Sequence, residues 1–385
     1  MRKVVSLPMD SNKNNKKLSN MKLSKILSLG IIVLTAVGFT GCSNDDDDDN
    51  APVVETRKGA PQQVMVVFAS GQLGDRGYAD RVMDGIQVIE TAMAEMADPT
   101  TDVNFLSMSD PSFTQTALEQ WVANPVNPFS GSNYQRRLLV LTEPYMLEWL
   151  TSSQTALRDS DEVLVLKAVE EDLAEAASLG LGDRLHALNI SASRSASRFS
   201  QYMDQRLAEE AEYGNDKNIN PNGFNLLRLY STEEVTYRDS ICETLRELRG
   251  EALELDNDYP VSDLDNYGLY SPLFEEGIVQ AAYDCGLMLE KQVNEQGIIF
   301  TLVDLGAANL SFDYYLLRQP DYSFTTLMLD TQPSSLRRFA IDRRFDKAFS
   351  DWALAWTKAG VGLMQKSVSY SSEEYCQDNI FLGVK

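Results

Sequence analysis

From Val64 onward the apolar positions switch between two periods, and that switching sets the fold class. Val64-Met65-Val66-Val67-Phe68 is an uninterrupted apolar run, the pattern of a strand buried on both faces. After a loop carrying Gly71, Gly74 and Gly77, the residues Tyr78, Val82, Ile86, Ile89, Met93 and Met96 step by four and three. That spacing puts one apolar stripe on a helix. The order repeats with Val103–Leu106 and a helix from Ser112 to Ala123, then Leu138–Leu141 and a helix from Pro144 to about Ala156. Val163–Leu166 with a helix around Leu173, and Leu185–Leu188 with a helix near Ser195 to Ala211, continue it. Strands alternating with helices predict a parallel sheet covered on both faces.

Tyr213 to Gly223 is rich in Asn and Gly, contains Pro221, and reads as a linker. Alternation then restarts. Phe224 to Tyr230 is the next expected strand, and Ser231-Thr232-Glu233-Glu234 is a capping box opening a helix to Leu248. A helix over about Leu273 to Val293 and strands at Ile298–Val303 and Thr325–Leu329 follow. Ser334 to Lys366 is expected to be helical, with Phe345, Phe349, Trp352 and Trp356 facing the core. The expected architecture is therefore α/β, with two doubly wound parallel-sheet lobes and a cleft between them. Lobe 1 spans 61–220 and lobe 2 spans 221–333, and a helical segment, 334–385, packs on both.

The N-terminal pattern is different. Met21-Lys22-Leu23-Ser24-Lys25 and the apolar run Ile26 to Phe39 have the basic and apolar regions of a secretory leader. The run is about fourteen residues long, short of the roughly twenty that span a bilayer, so a removed leader is expected over 1–41, with the true start near Met21. Phe39-Thr40-Gly41-Cys42 resembles the lipobox of bacterial lipoproteins, which implies lipidation (diacylglyceryl and palmitate) at Cys42. Asp45 to Asp49 form a like-charge block, which makes 42–60 a solvated tether. Cys-Ser-Asn-(Asp)5 resembles the surface-export signal of Bacteroidetes lipoproteins. That implies an outer-membrane lipoprotein exposed at the cell surface, with a periplasm-facing anchor as the alternative.

Charge narrows the partners. Taking the seven basic residues and one acidic residue of 1–41 out of a chain with 34 basic and 57 acidic side chains leaves a net charge near −29. Such a surface repels nucleic acid and anionic headgroups, so no nucleic acid is expected, and membrane contact only through the lipid. Catalytic and metal classes also thin out. His186 is the only histidine and sits inside an expected strand, while Cys242, Cys285 and Cys376 lack CxxC spacing, against the several ligands of zinc sites and the imidazole of Ser-His-Asp sites. Asp256, Asp258, Asp263 and Asp265 crowd one expected loop, but Phe274 stands where a calcium loop needs its closing glutamate. No metal, no cofactor and no catalytic residues are expected.

In open parallel sheets ligands settle beyond the C-terminal ends of the strands. Those ends offer Ser70, Gly71, Asp75 and Tyr78; Ser109; Thr142 and Tyr145; Ser191; Asp304 and Asn309; and Asp330. Hydroxyls, carboxylates and a few aromatics suit a neutral polyhydroxylated or heterocyclic ligand.

The run Val64 to Tyr78, with Asp84-Gly85-Ile86, Ile298-Ile299-Phe300 and Leu329-Asp330-Thr331-Gln332, resembles the basic membrane lipoprotein family of nucleoside-binding proteins with the type I periplasmic-binding fold. The resemblance implies that Asp75 faces a base, Tyr78 stacks on it and Asp330 binds the ribose. Ala79 and Leu305–Asn309 depart from the family pattern. The expected function is a lipid-anchored solute-binding protein, not an enzyme, that closes on a small polar ligand of the nucleoside or sugar class. A surface sensor or partner-binding module and a carboxylate-dependent hydrolase are the alternatives.

Overall fold

The computed structural model describes residues 62–68, 73, 77–95, 101–106, 111–128, 130–152, 157–213, 224–230, 244–245, 247–248, 253–260, 299–304, 309–319, 325–331 and 334–380. Cys42, the leader and tether, Ser70, Gly71, Asp75, Ser109, Cys242, Cys285, the Asp263–Gly268 loop and the helix expected over 273–293 lie outside them.

Five parallel strands, β1 Gln62–Val67, β2 Thr101–Leu106, β3 Arg136–Leu141, β4 Asp161–Leu166 and β5 Leu185–Ile190, form the first sheet in the order 2-1-3-4-5. Because successive side chains point to opposite faces, the apolar runs split between two cores. Val64, Val66, Leu138, Val140, Leu164 and Leu166 pack on one face with Val82, Ile86 and Ile89 of α1 (Tyr78–Ala94). Met65, Val67, Leu139, Leu141, Val163 and Val165 pack on the other with Leu118 and Trp121 of α2 (Pro111–Ala123) and Leu147 and Leu150 of α3 (Leu147–Ser152).

Strands β6 Phe224–Tyr230, β7 Leu253–Pro260, β8 Ile299–Asp304, β9 Thr326–Leu329 and β10 Phe339–Arg343 repeat the same order as a second parallel sheet, 7-6-8-9-10. Strand β7 holds Asp256 and Asp258, which the sequence placed in a loop; its Asp-rich run lacks the apolar content that marks a strand.

The lobes exchange helices. After β5 the chain enters α4 (Ser193–Tyr213), whose Phe199 and Tyr202 pack on Phe300 and Phe339 of the second sheet, with ring centroids 6.2 and 4.3 Å apart. The change of lobe therefore falls at Ser191–Ala192 and not in the 213–223 linker. After β10 the chain returns in α6 (Phe345–Lys358), which lies on the first sheet beside α1. The intervening α5 is Asn309–Arg318. Gly85 lets α1 and α6 close together: a Cβ there would sit 2.9 Å from the Asp346 carbonyl oxygen and 3.1 Å from the Phe349 ring.

Segment 334–385 is not wholly helical, contrary to expectation. Besides α6 it supplies β10, a sixth strand for the first sheet, β11 (Ser367–Tyr370, parallel to β5), and β12 (Cys376–Asp378, antiparallel to β10). β10 ends in Asp342-Arg343 and β12 in Asp378, and all three strands are too short to establish a period. Phe345, Phe349, Trp352 and Trp356 are buried in the core. No helix among the described residues is long and apolar enough to cross a membrane.

Candidate functional site

Burial of charge marks both edges of the first sheet. At the N-terminal edge Arg136 and Arg137 open β3, and Asp161 and Glu162 open β4. Arg137 makes two bonds to Asp161, 3.0 and 2.6 Å, with both side chains fully buried. Arg136 bonds Glu162 at 2.7 Å and also donates to the carbonyls of Trp356 and Ala359. It thereby places a positive charge and donors on carbonyls at the C-terminus of α6. His186 bridges Glu162 Oε2, 3.1 Å from Nε2, and the Gln365 carbonyl, 3.0 Å from Nδ1. Burial pushes the Glu162 and Asp161 carboxyls up. Bonds from His186 and Arg136 to the first, and from Arg137 and Arg158 to the second, outweigh it and hold both below their ordinary values. Each group in this network is partnered, and its role is structural.

The C-terminal edges of the two sheets are built otherwise. Lys167 directly follows β4 and is buried. Its Nζ lies 3.1 Å from Glu143 Oε1 and 3.8 Å from the centre of the Tyr78 ring, a cation–π distance. The Tyr78 hydroxyl donates to the Thr142 carbonyl at 2.7 Å, and Thr142 itself is fixed by its Oγ1 and N–H on the Val67 carbonyl. The Tyr78 ring meets Phe345 edge-to-face at 4.8 Å. Arg343, ending β10, lies 4.9 Å over Phe345 and grips Asp330 with two bonds, one of 2.7 Å. An unbroken series of contacts thus runs from Glu143 through Lys167, Tyr78, Phe345 and Arg343 to Asp330, from the strand ends of lobe 1 to those of lobe 2. Beside it, Arg81 of α1 holds Asp342 of β10 with two bonds, 3.1 and 2.5 Å. Burial raises the Asp342 carboxyl despite Arg81.

Backbone geometry singles out two of these groups. Lys167 (φ 57°) and Asp330 (φ 49°) are the two non-glycine residues with left-handed φ among those described. Such a conformation costs on the order of 1–3 kcal/mol, and it clusters at binding and catalytic sites.

Of the residues expected at the site, the structure brings Tyr78, Thr142 and Asp330 into this series. Tyr145 lies to one side, edge-on to Trp149 at 5.7 Å. Ser191 sits where the chain leaves β5; its Oγ is 3.1 Å from Ser193 Oγ and its N–H donates to the Tyr370 carbonyl. Asp304 ends β8 and Asn309 begins α5. Sequence reasoning passed over Lys167, Arg81 and Arg343. A charge directly after the apolar run Val163–Leu166 was a usable signal for Lys167, whereas Arg343 was hidden with its strand.

No family model and no curated protein matches the chain. Solved structures do. A solute-binding protein of an ABC transporter system from Aeropyrum pernix K1 aligns at 12% identity over 83% of this chain and 76% of that one, with a TM-score of 0.54. A carbohydrate transporter solute-binding protein from Agrobacterium radiobacter, in complex with D-arabinose, aligns at 10% identity over 82% and 93%, with a TM-score of 0.51. At such identities the likeness is one of architecture, and the chain has the α/β fold of the periplasmic-binding proteins.

Proposed function

We propose that this chain is a solute-binding protein that closes its two lobes on one small, polar, uncharged ligand of the sugar or nucleoside class. The observation that carries this is the contact series joining the C-terminal strand ends of both sheets, where ligands of open parallel sheets bind. Its charges are paired within the protein, Lys167 with Glu143, Arg343 with Asp330 and Arg81 with Asp342. A ligand bringing a net charge would meet groups already neutralised and would lose its own hydration. The arabinose complex of the Agrobacterium protein supports the sugar class, and the resemblance of Val64–Tyr78 supports the nucleoside class. Tyr78, Thr142 and Asp330, with the loops bearing Ser70, Gly71, Asp75 and Ser109, are the proposed contacts.

Ligand that binds only the folded state stabilises it by about 2.7 kcal/mol at a hundredfold excess over Kd. Melting the chain against pentoses, hexoses and purine and pyrimidine nucleosides is expected to give a raised midpoint with at least one of them. No rise with any member would remove this function. The lipid anchor on Cys42 and the surface location are proposed from the leader and the acidic tether. Metabolic labelling with palmitate, expected for the natural chain and lost in Cys42→Ser, tests the anchor.

One observation favours a second reading, a surface sensor or partner-binding module. Lys167 covers one face of the Tyr78 ring, whose hydroxyl is already bonded. For such a module, small solutes leave the melting midpoint unmoved while a protein partner raises it.

A further inference from the structure

Lys167 and Asp330 occupy the same place in the two lobes. Strands β6 to β10 repeat the order of β1 to β5, so β9 is the counterpart of β4. Lys167 is the first residue after β4, and Asp330 is the first after β9. Both are buried, both have left-handed φ, and each is held by an opposite charge from a neighbouring strand end, Glu143 beyond β3 and Arg343 of β10. A structural ion pair needs no left-handed backbone, as Arg137–Asp161 at the other edge shows; glycine would relieve the strain at either position. What the left-handed turn does accomplish is to redirect a side chain at the point where the strand stops.

We propose that Lys167 is a ligand-contacting, specificity-determining residue, and that it and Asp330 are the matched halves of one site. This inference rests on the solute-binding function above and adds to it the polarity of the ligand. The Lys167 ammonium is a donor only, so lobe 1 presents donors to an ether, carbonyl or hydroxyl oxygen; the Asp330 carboxylate is an acceptor only, so lobe 2 takes hydroxyl protons. An uncharged polyol with an acceptor on one side and vicinal hydroxyls on the other fits both. Contact with Glu143 keeps Lys167 from demanding an anion, and Arg343 keeps Asp330 from demanding a cation.

The test is a binding comparison on the full chain, with D-arabinose, D-ribose, adenosine and uridine as uncharged probes and ribose 5-phosphate and glucosamine as charged ones. The natural chain is expected to bind an uncharged probe and to discriminate against its charged counterpart. Lys167→Met is expected to weaken that binding at least about tenfold, and to narrow the gap to glucosamine because the positive charge beside Glu143 is removed. Lys167→Arg, which keeps the donor and the charge, restores most of the affinity. Asp330→Asn, close in shape, gives an independent loss should Lys167→Met fail to fold. Unchanged affinity, within about twofold, in folded Lys167→Met, or in Asp330→Asn, overturns the inference of a matched site while leaving the solute-binding function intact. Failure of the natural chain to bind any uncharged probe overturns both.

Discussion

The two edges of the first sheet bury the same chemistry and use it differently. At the N-terminal edge Arg136, Arg137, Asp161, Glu162 and His186 sit in ordinary strand geometry, and two carboxyls are held below their usual range. At the C-terminal edge Lys167 sits on a strained backbone, faces an aromatic ring, and connects through it to charges of the other lobe. Burial alone therefore does not mark a binding group. A relaxed, multiply bonded ion cluster fixes the fold, whereas the strained one at the strand C-termini is the one proposed to contact the ligand.

The sharpest way to break that contrast is at Arg137. Its replacement by Met leaves Asp161 with Arg158, a partly exposed side chain, as its remaining cation, and a stability loss approaching about 3 kcal/mol is expected, measured by urea unfolding; a loss below that of Lys167→Met would reverse the assignment of the two edges. A further loss is expected in acid. The folded pKa values of Asp161 and Glu162 lie below the unfolded ones, so their contribution is complete above about pH 4 and disappears as pH falls through the lower folded values. Asp342 has the opposite sign: its folded pKa is raised, so its contribution is present below the unfolded value and is lost as pH rises through the folded one. The unfolding midpoint should drop as pH falls below about 4, less steeply in Glu162→Gln, and a flat profile there would contradict the network.

Where the exchanged helix α6 crosses α1, Gly85→Ala places a methyl 2.9 Å from the Asp346 carbonyl oxygen and should cost about 1–3 kcal/mol. An unchanged melting midpoint would mean that α1 and α6 are not locked at that crossing. Least affected should be the exposed pair Arg194–Glu373: Arg194→Ala is expected to change stability by under about 0.5 kcal/mol, and a larger change in the same unfolding assay would show that surface pairs matter here as buried ones do.

Much of the fold was legible because parallel strands buried on both faces leave long apolar runs. Val64–Phe68, Leu138–Leu141 and Val163–Leu166 could hardly be anything else. Strands β7, β10, β11 and β12 were not legible. Asp256 and Asp258 lie inside β7, and Asp342 and Arg343 inside β10; ion pairs with Arg81 and Asp330 accommodate the two in β10, and no local pattern signals any of the four. Of the contact series, Tyr78, Thr142 and Asp330 could be picked out in the sequence from their places after expected strands. Their partners Lys167, Arg343 and Arg81 come from three different segments, and only packing brings these together.

By itself the sequence determined the alternation of strands and helices, the doubling of that unit, the single histidine's place in a strand, and the acidic balance, because periodicity and charge are local or additive properties. Tertiary structure alone decided that the lobes exchange α4 and α6, that the tail divides its strands between both sheets, and that Lys167 and Asp330 are counterparts. Those facts depend on contacts between segments distant in the chain, as Arg81 and Asp342 are at 261 residues apart, and such contacts leave no trace in any window of sequence.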